Sequence, residues 1–184
     1  MELIKTAELF AKKKHLGMIK KDGIILHSKH LEDVVNRLKS LGVVDEEILC
    51  TGWLHDIIED TGTSFEQLFE KFGSKISVLV LSLSKNTSLP KKQREQTYIK
   101  QLKEASIDAK IVKLCDISAN LSTLKNYDAS RSKKLRIIRQ LRRYTIAIKK
   151  DLIENKDYPK TITLLESINQ ILKQFHQKTI TLYL

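Results

Sequence analysis

The chain has 184 residues, of which 41% are hydrophobic and 30% are charged. This composition is typical of one folded domain and excludes wholesale disorder, and no apolar stretch reaches the roughly 20 residues that a membrane helix needs. With 33 basic and 22 acidic residues the formal net charge is +11, which favours an anionic partner such as a nucleic acid, an acidic membrane surface or a phosphorylated small molecule.

The N-terminus and the cysteines point to the cytoplasm. The opening stretch MELIKTAELFAKKKHLG is amphipathic and lacks the apolar core and the cleavage site of a signal peptide. Cys50 and Cys115 both lie in apolar stretches, where a small core thiol is more common than half of a disulfide. We therefore expect a cytoplasmic protein that does not bind a membrane.

Apolar residues recur with helical spacing from the N-terminus onward. Leu3, Ala7 and Phe10 mark one face of a first helix, and a second helix is predicted to end at Gly42. Asp45 has the position of a cap for a third helix, which would carry the stretch WLHDIIED.

The second half of the chain is also predicted to be helical. Ser64 and Gln67 form a capping-box pattern at the start of a helix that Gly73 closes. Apolar spacing predicts further helices at about 74–83, 91–105, 108–125 and 131–154, and a last one from Pro159 to about Gln177. We expect an all-α protein with a compact single domain of about eight to ten helices over residues 1–178. Residues 179–184 would form a short C-terminal tail, which the alternation in TITLYL leaves open as a strand or a loose end.

Four ionisable residues interrupt the apolar stretch around Trp53. His55, Asp56, Glu59 and Asp60 lie within WLHDIIEDT, and on a continuous helix His55 would share a face with Glu59, and Asp56 with Asp60. A buried charge needs a partner, and an imidazole next to a carboxylate can ligate one cation. The carboxylates one turn later would then orient or deprotonate a water molecule on that cation.

Two other helices offer further ligands. His30 opens the amphipathic segment HLEDVVNRL, and Asp116 lies in the apolar helix IVKLCDISANL with Asn120 four residues later. The predicted ligand set is His30, His55, Asp56 and Asp116, and its two nitrogens and two carboxylates suit manganese, iron or zinc. His27 is the rival ligand, although we expect it to precede the helix. His15 is expected to be structural or to support the ligands, and His176 to lie on the surface.

These residues resemble the signature of the HD phosphohydrolase superfamily, a histidine, an HD doublet and a distant aspartate. HDIIEDT is similar to the corresponding string of the RelA/SpoT-type alarmone hydrolases, especially the small stand-alone ones. The resemblance extends over roughly residues 7–150. Within it, HLGMIKK resembles their His-x-Gly-Gln-x-Arg-Lys segment, and HLEDVVNRL resembles their His-Pro-x-x-Val-Ala-x-x-Leu helix. SLSKNTSLPKKQREQ resembles their basic connector, and AKIVKLCDISANL resembles their VKLAD-x-x-x-NL helix.

The resemblance implies an HD-type helical bundle that removes the 3′-pyrophosphate from ppGpp or pppGpp, leaving GDP or GTP. It implies Mn²⁺ as the cofactor, although another divalent metal would fit, and a phosphorylated purine nucleotide as the partner. Glu59 and Asp60 would handle the attacking water. The residues expected to contact the substrate are Lys20, Lys21, Lys85, Arg94, Asn120 and Tyr144. For Asn120, bracing the metal site is the alternative to contact with the nucleotide. For Tyr144, packing in the apolar seam of its helix is the alternative to stacking on a base.

The sequence departs from the family's segments at Lys20 and His27, and the change at Lys20 bears on the choice of base. Lys20 stands where the family has arginine, and His27 stands where it has tyrosine. Because arginine stacks on a purine and lysine does not, the preference for guanine stays open. An adenine alarmone such as ppApp, or NADPH, is therefore an alternative substrate.

The basic stretch RSKKLRIIRQLRRYTIAIKK, residues 131–150, suggests a third alternative, a polyanion-binding module with a vestigial HD site. Its charges lie mainly off the apolar seam, which is typical of a solvated helix face. Aromatic residues make up 6% of the chain and are not interleaved with the basic ones, which argues against nucleic acid. Homo-oligomerisation is left open.

Overall fold

The computed structural model describes residues 2–18 and 27–182 of the chain, and these residues form nine α-helices and no strand. The helices are, in chain order, α1 (Glu2–Lys14), α2 (His27–Ser40), α3 (Glu46–Leu54), α4 (Ile57–Thr61), α5 (Phe65–Leu83), α6 (Lys91–Glu104), α7 (Ile107–Thr123), α8 (Arg131–Glu154) and α9 (Thr161–Gln174). The prediction of an all-α fold with about eight to ten helices is confirmed. Among these described helices, none combines the length and the apolar character that crossing a membrane would require.

Helix α7 is the centre of the fold. It packs against α2, α3, α5, α8 and α9, and it is buried almost continuously from Ala109 to Leu121. A helix surrounded on all sides is expected to be apolar on all sides, yet Lys110, Lys113 and Asp116 are buried in it as well. Lys110 is paired with Asp151 of α8, whereas Lys113 and Asp116 are paired with each other. Because a buried charge needs a partner, Lys113 and Asp116 mark the part of the fold where function is to be sought.

Several helix ends follow the local signals in the sequence. The Asp45 side chain accepts hydrogen bonds from two backbone amides at the start of α3, and Ser64 and Gln67 form a capping box at the start of α5. Gly73 has a φ of 80°, which kinks α5 at the position where the sequence predicted one helix to close and another to begin. These caps fix the directions in which α3 and α5 leave their loops.

The prediction that WLHDIIED forms part of one helix was wrong. Helix α3 ends at Leu54 and α4 begins at Ile57, with His55 and Asp56 in a turn between them. The His55 ring donates from Nδ1 to the carbonyl oxygen of Gly52 at 2.9 Å. In a continuing helix that oxygen would pair with the Asp56 amide, so the side chain competes with the helical ladder where it breaks.

Helix α8 buries the seam that the sequence predicted and exposes its basic residues. Ile138, Leu141 and Ile148 are buried, whereas Arg136 and Arg139 are exposed. This arrangement agrees with a solvated basic face on the outside of the bundle.

The C-terminal residues 177–182 form no regular element but are held against the bundle. Ile180 is buried, and its amide and carbonyl both pair with the Asn169 side chain of α9. Arg142 and Lys149 of α8 donate to the carbonyls of Lys178 and Thr181. The segment therefore lies against α8 and α9.

Helices α2 and α3 approach each other closely at Gly52. A Cβ atom on Gly52 would lie 2.7 Å from Leu38 Cδ1 and 3.0 Å from Val35 Cγ2. Since Gly52 precedes His55 by one turn and its carbonyl orients the His55 ring, this close packing also sets the distance between His55 and α2.

We predict that Gly52→Val lowers the free energy of unfolding by about 1–3 kcal/mol, because the added methyl groups overpack the α2–α3 contact. Denaturant unfolding followed by circular dichroism measures this. The matched control is Glu70→Val, an exposed position on α5, which should cost about 0.5 kcal/mol or less. Equal losses in the two variants would contradict a tight contact at Gly52.

Candidate metal centre

Four side chains from separate parts of the chain converge on one point. They are His30 on α2, His55 and Asp56 in the turn between α3 and α4, and Asp116 on α7. One potential ligand atom of each lies within 4.8 Å of every other. The structure thus brings together the four residues that the sequence proposed as ligands.

The spacing of the four side chains is that of a coordination shell. His30 Nε2 and His55 Nε2 lie 3.1 and 3.5 Å from the same oxygen, Asp116 Oδ1. Asp56 Oδ2 lies 3.1 Å from His55 Nε2 and 3.7 Å from His30 Nε2. Ligands about 2.1 Å from one divalent cation are about 3.0–3.4 Å from their neighbours, so small adjustments would let all four atoms reach the same ion.

The donor chemistry also fits a divalent cation. Because His55 donates from Nδ1 to the Gly52 carbonyl, its Nε2 carries the lone pair of the neutral ring and faces the two carboxylates. His30, His55 and Asp116 are buried, whereas Asp56 is partly exposed. The cluster is therefore closed on the protein side and open toward Asp56, where a water molecule or a substrate could enter.

Without a cation, the cluster holds a proton where the cation would bind. Burial by itself lowers the pKa of His55, but the carboxylates of Asp56 and Asp116 outweigh it and raise the pKa to about 10. Burial by itself raises the pKa of Asp116, but Lys113 and the two histidines hold it well below its usual range. The metal-free site at neutral pH thus pairs an imidazolium with an ionised carboxylate.

Lys113 and Asn120 hold Asp116 in place. Lys113 donates from Nζ to Asp116 Oδ2 at 2.8 Å, and Asn120 donates from Nδ2 to Asp116 Oδ1 at 2.6 Å. Burial alone would lower the pKa of Lys113, but the Asp116 carboxylate raises it well above its usual value, so the lysine stays charged. Sequence reasoning missed Lys113, although its spacing of three residues from Asp116 on a helix was a usable signal.

An open cavity of about 450 Å³ lies over the cluster. This volume falls in the range of small-molecule sites, about 300–1,000 Å³. Asp56, Glu59 and Asp60 line its acidic side, and Lys85 and Lys113 bring two positive charges to the wall. The apolar part of the wall comes mainly from α8 and from the segment between α7 and α8, and it includes Leu124, Ile137 and Leu141. Met18, after α1, adds to it.

The two carboxylates that we expect to handle water both line the cavity, and both have protein partners. Glu59 accepts a hydrogen bond from the Lys85 amide at 2.8 Å and lies 3.5 Å from Lys85 Nζ. Asp60 Oδ2 lies 2.7 Å from His27 Nε2. His27 is the first residue of α2, so the expectation that it precedes the helix was wrong. It lies outside the four-residue cluster, with Nε2 3.8 Å from Asp56 Oδ2.

Only some of the residues predicted to contact the substrate are found at the cavity. Lys85, Asn120 and Tyr144 line the cavity. Arg94 is not among the described residues that line it, and its guanidinium donates to the carbonyls of Thr87 and Leu89 in the loop before α6. Lys20 and Lys21 lie outside the described residues.

Tyr144 packs in the seam between α6 and α8. Its ring lies edge-on to Tyr98 with the centroids 5.1 Å apart, and its hydroxyl donates to Glu95 at 2.7 Å. The rings of Tyr98 and Tyr144 lie 5.4 and 5.7 Å from Lys113 Nζ, so both face the lysine that supports Asp116. Tyr144 is therefore buried in the seam, as one of the two alternatives predicted, and it also borders the cavity, while its stacking on a base stays a prediction.

Comparison with known protein families matches the HD domain over residues 7–148. The chain belongs to the HD-domain family. Its HD doublet is His55–Asp56, and its apolar core extends beyond the matched range to α9. A metazoan ortholog of SpoT has the same fold with a TM-score of 0.82 at 23% identity, over 95% of this chain and 96% of that one. The prediction of an HD-type helical bundle is confirmed.

Several curated proteins are similar in sequence to this HD-domain protein. The guanosine-3′,5′-bis(diphosphate) 3′-pyrophosphohydrolase MESH1 of Danio rerio is 38% identical over 82 residues, which are 45% of this chain and 46% of that protein. MESH1 of Xenopus tropicalis is 32% identical over 127 residues, 67% of this chain and 70% of that protein. The GTP pyrophosphokinase of Myxococcus xanthus is 30% identical over 151 residues, 76% of this chain but 19% of that protein. The match thus spans about half of the first of these relatives and a fifth of the last.

We predict that binding of Mn²⁺ to the metal-free chain releases about one proton at about pH 7.5, because the pKa of His55 is raised to about 10 and its proton must leave before Nε2 can ligate. The same competition strengthens cation binding as the pH rises toward that pKa. Calorimetry in buffers with different ionisation enthalpies measures the release. A binding enthalpy that does not depend on the buffer would contradict the protonated cluster.

Proposed function

We propose that this chain is a Mn²⁺-dependent hydrolase that removes the 3′-pyrophosphate from (p)ppGpp-type alarmones, giving GDP or GTP and pyrophosphate. The observation that carries the proposal is the cluster of two histidines and two aspartates beside a cavity with both acidic and basic walls. The MESH1 relatives bear the same activity in their names. We assign the four metal ligands as His30, His55, Asp56 and Asp116.

The bound metal would acidify a water molecule and neutralise phosphate charge. Residues of the chain itself would assist the attack of the water and the proton transfers. Water adds to the phosphorus next to the 3′ oxygen, the bond between that phosphorus and the 3′ oxygen breaks, and the 3′ oxygen takes up a proton. Glu59 and Asp60 are the carboxylates that we assign to the proton of the water, because both line the cavity beside Asp56.

Basic residues would hold the pyrophosphate. Lys85 lines the cavity with its Nζ 3.5 Å from Glu59 and 4.6 Å from the Tyr98 ring centroid. That position lets it exchange the Glu59 carboxylate for a phosphate oxygen while Glu59 keeps its bond from the Lys85 amide. Lys20, Lys21 and Arg94 stay predictions for the same role. The net charge of +11 favours the approach of so highly charged an anion.

The apolar wall fits the face of a purine but does not discriminate between guanine and adenine. Leu124, Ile137 and Leu141 offer a surface on which guanine or adenine can lie. The adenine alarmone ppApp and NADPH therefore remain the alternative substrates, with the same metal site. We place the reaction in the cytoplasm, since Cys50 and Cys115 are buried free thiols.

We expect Mn²⁺-dependent release of pyrophosphate from ppGpp, lost on chelation and restored by Mn²⁺. Glu59→Gln should lower kcat by about 10²- to 10⁴-fold while metal binding persists, because a neutral amide cannot accept the proton of the water. The matched control, Glu70→Gln on the exposed face of α5, should retain full activity. Parallel assays with ppApp and NADPH identify the preferred base.

Two outcomes would contradict this proposal. If folded, metal-loaded protein releases no pyrophosphate from either alarmone, the alarmone assignment fails. If metal removal leaves the protein's function unchanged while its binding to polyanions falls steeply with salt, the alternative of a binding module with a vestigial site is favoured.

A further inference from the structure

A second group of potential ligands lies beside the HD centre. It consists of His15 just after α1, His27 at the start of α2 and Asp60 on α4. One ligand atom of each lies within 4.8 Å of the others, and none of the three belongs to the four-residue cluster. We infer that His15, His27 and Asp60 bind a second divalent cation next to the first.

The rings of the two histidines lie face to face in the interior of the protein. Their rings are stacked with the centroids 4.1 Å apart and an angle of 9° between the planes, and both side chains are buried. His15 Nδ1 donates to the carbonyl oxygen of Ala11 at 2.9 Å, so the lone pair of the neutral ring is on Nε2. That Nε2 atom is buried and has no hydrogen-bond partner among the described residues. A buried acceptor without a donor is unfavourable, and a cation would satisfy it.

Two carboxylates border the His27 ring. His27 Nε2 lies 2.7 Å from Asp60 Oδ2 and 3.8 Å from Asp56 Oδ2. The same Asp56 oxygen lies 3.1 Å from His55 Nε2 in the HD cluster. Asp56 therefore stands between the two groups, in the position of a carboxylate that bridges two cations. Cations in two-metal sites lie about 3.5–4 Å apart, which one bridging carboxylate can span.

The backbone holds this second group together without help from a cation. The Met18 amide donates to the His15 carbonyl at 2.9 Å, and the His27 amide donates to the Met18 carbonyl at 3.0 Å. These two bonds tie the end of α1 to the start of α2 and keep the two histidines adjacent. For both in-plane lone pairs to reach the same ion, one ring turns out of the stack. Because His27 and Asp60 line the cavity, a cation here would face the substrate space.

The consequence for catalysis rests on the proposed function. Asp60 becomes a ligand of the second cation, and Glu59 is then the carboxylate that takes the proton of the water. The second cation would contact phosphate oxygens at the acidic side of the cavity, where Asp56, Glu59 and Asp60 would otherwise repel them.

The test is the number of Mn²⁺ ions that the metal-free chain binds, measured by calorimetry and by electron paramagnetic resonance. We expect about two equivalents for the native chain, with the spectrum of an exchange-coupled pair. His27→Phe keeps the ring stacked on His15 but removes its nitrogens, and should bind about one equivalent with the spectrum of an isolated ion. Asp60→Asn, a partly exposed position with less risk to folding, should weaken the second equivalent at least about tenfold.

The matched control is Asp33→Asn on α2, which lies outside both groups and should still bind about two equivalents. One equivalent in the native chain at saturation would overturn the inference, because His27 and Asp60 would then be only a hydrogen-bonded pair. Two equivalents in His27→Phe would overturn it as well.

This measurement separates the inference from the proposed function. If two cations bind and no alarmone is cleaved, the proposed substrate is wrong and the second site stands. If ppGpp is cleaved by a chain that binds one cation, the second site is wrong and the proposed function stands.

Discussion

The structure depends on the burial of one carboxylate, Asp116, in the central helix. Left alone in an apolar bundle, that charge would be costly enough to disfavour the fold. It is instead surrounded by Lys113 and Asn120 from its own helix, His30 from α2 and His55 from the turn after α3. The helices that pack on α7 thus also supply the groups that compensate its charge. A cation between the histidines and the aspartates would complete the arrangement, which is why we regard metal binding as the property that this fold is organised around.

One side of the cavity carries negative charge, although the net charge of the protein is positive. The chain carries a net charge of +11, yet Asp56, Glu59 and Asp60 gather on one side of the cavity. A phosphorylated substrate would be attracted to the protein as a whole and repelled at that side. Bound cations would resolve the conflict, because they would convert a cluster of carboxylates into a site for phosphate oxygens. The same reasoning favours a second cation, since one ion would leave Asp60 and Glu59 facing the substrate.

Helical periodicity and short motifs were enough to predict much of this molecule. The caps at Asp45 and Ser64 and the kink at Gly73 are local signals, so they are readable without knowledge of the fold. The four cluster residues could be proposed because charged side chains stand out in apolar helices and each needs a partner.

What sequence reasoning missed depends on contacts between distant segments. The turn at His55 and Asp56 arises because the His55 ring takes the Gly52 carbonyl, a choice of rotamer that periodicity does not encode. The stacking of His15 on His27 requires the α1–α2 connection to return through Met18, and the placement of Arg94 on loop carbonyls depends on the path of that loop.

The most direct test of the central claim is a crystal structure of the chain grown with Mn²⁺, with anomalous scattering recorded at the manganese edge. The account predicts an anomalous peak about 2.0–2.3 Å from the two Nε2 atoms of His30 and His55 and from carboxylate oxygens of Asp56 and Asp116. A map with no peak among these four side chains, from protein that crystallised in the fold described above, would contradict it.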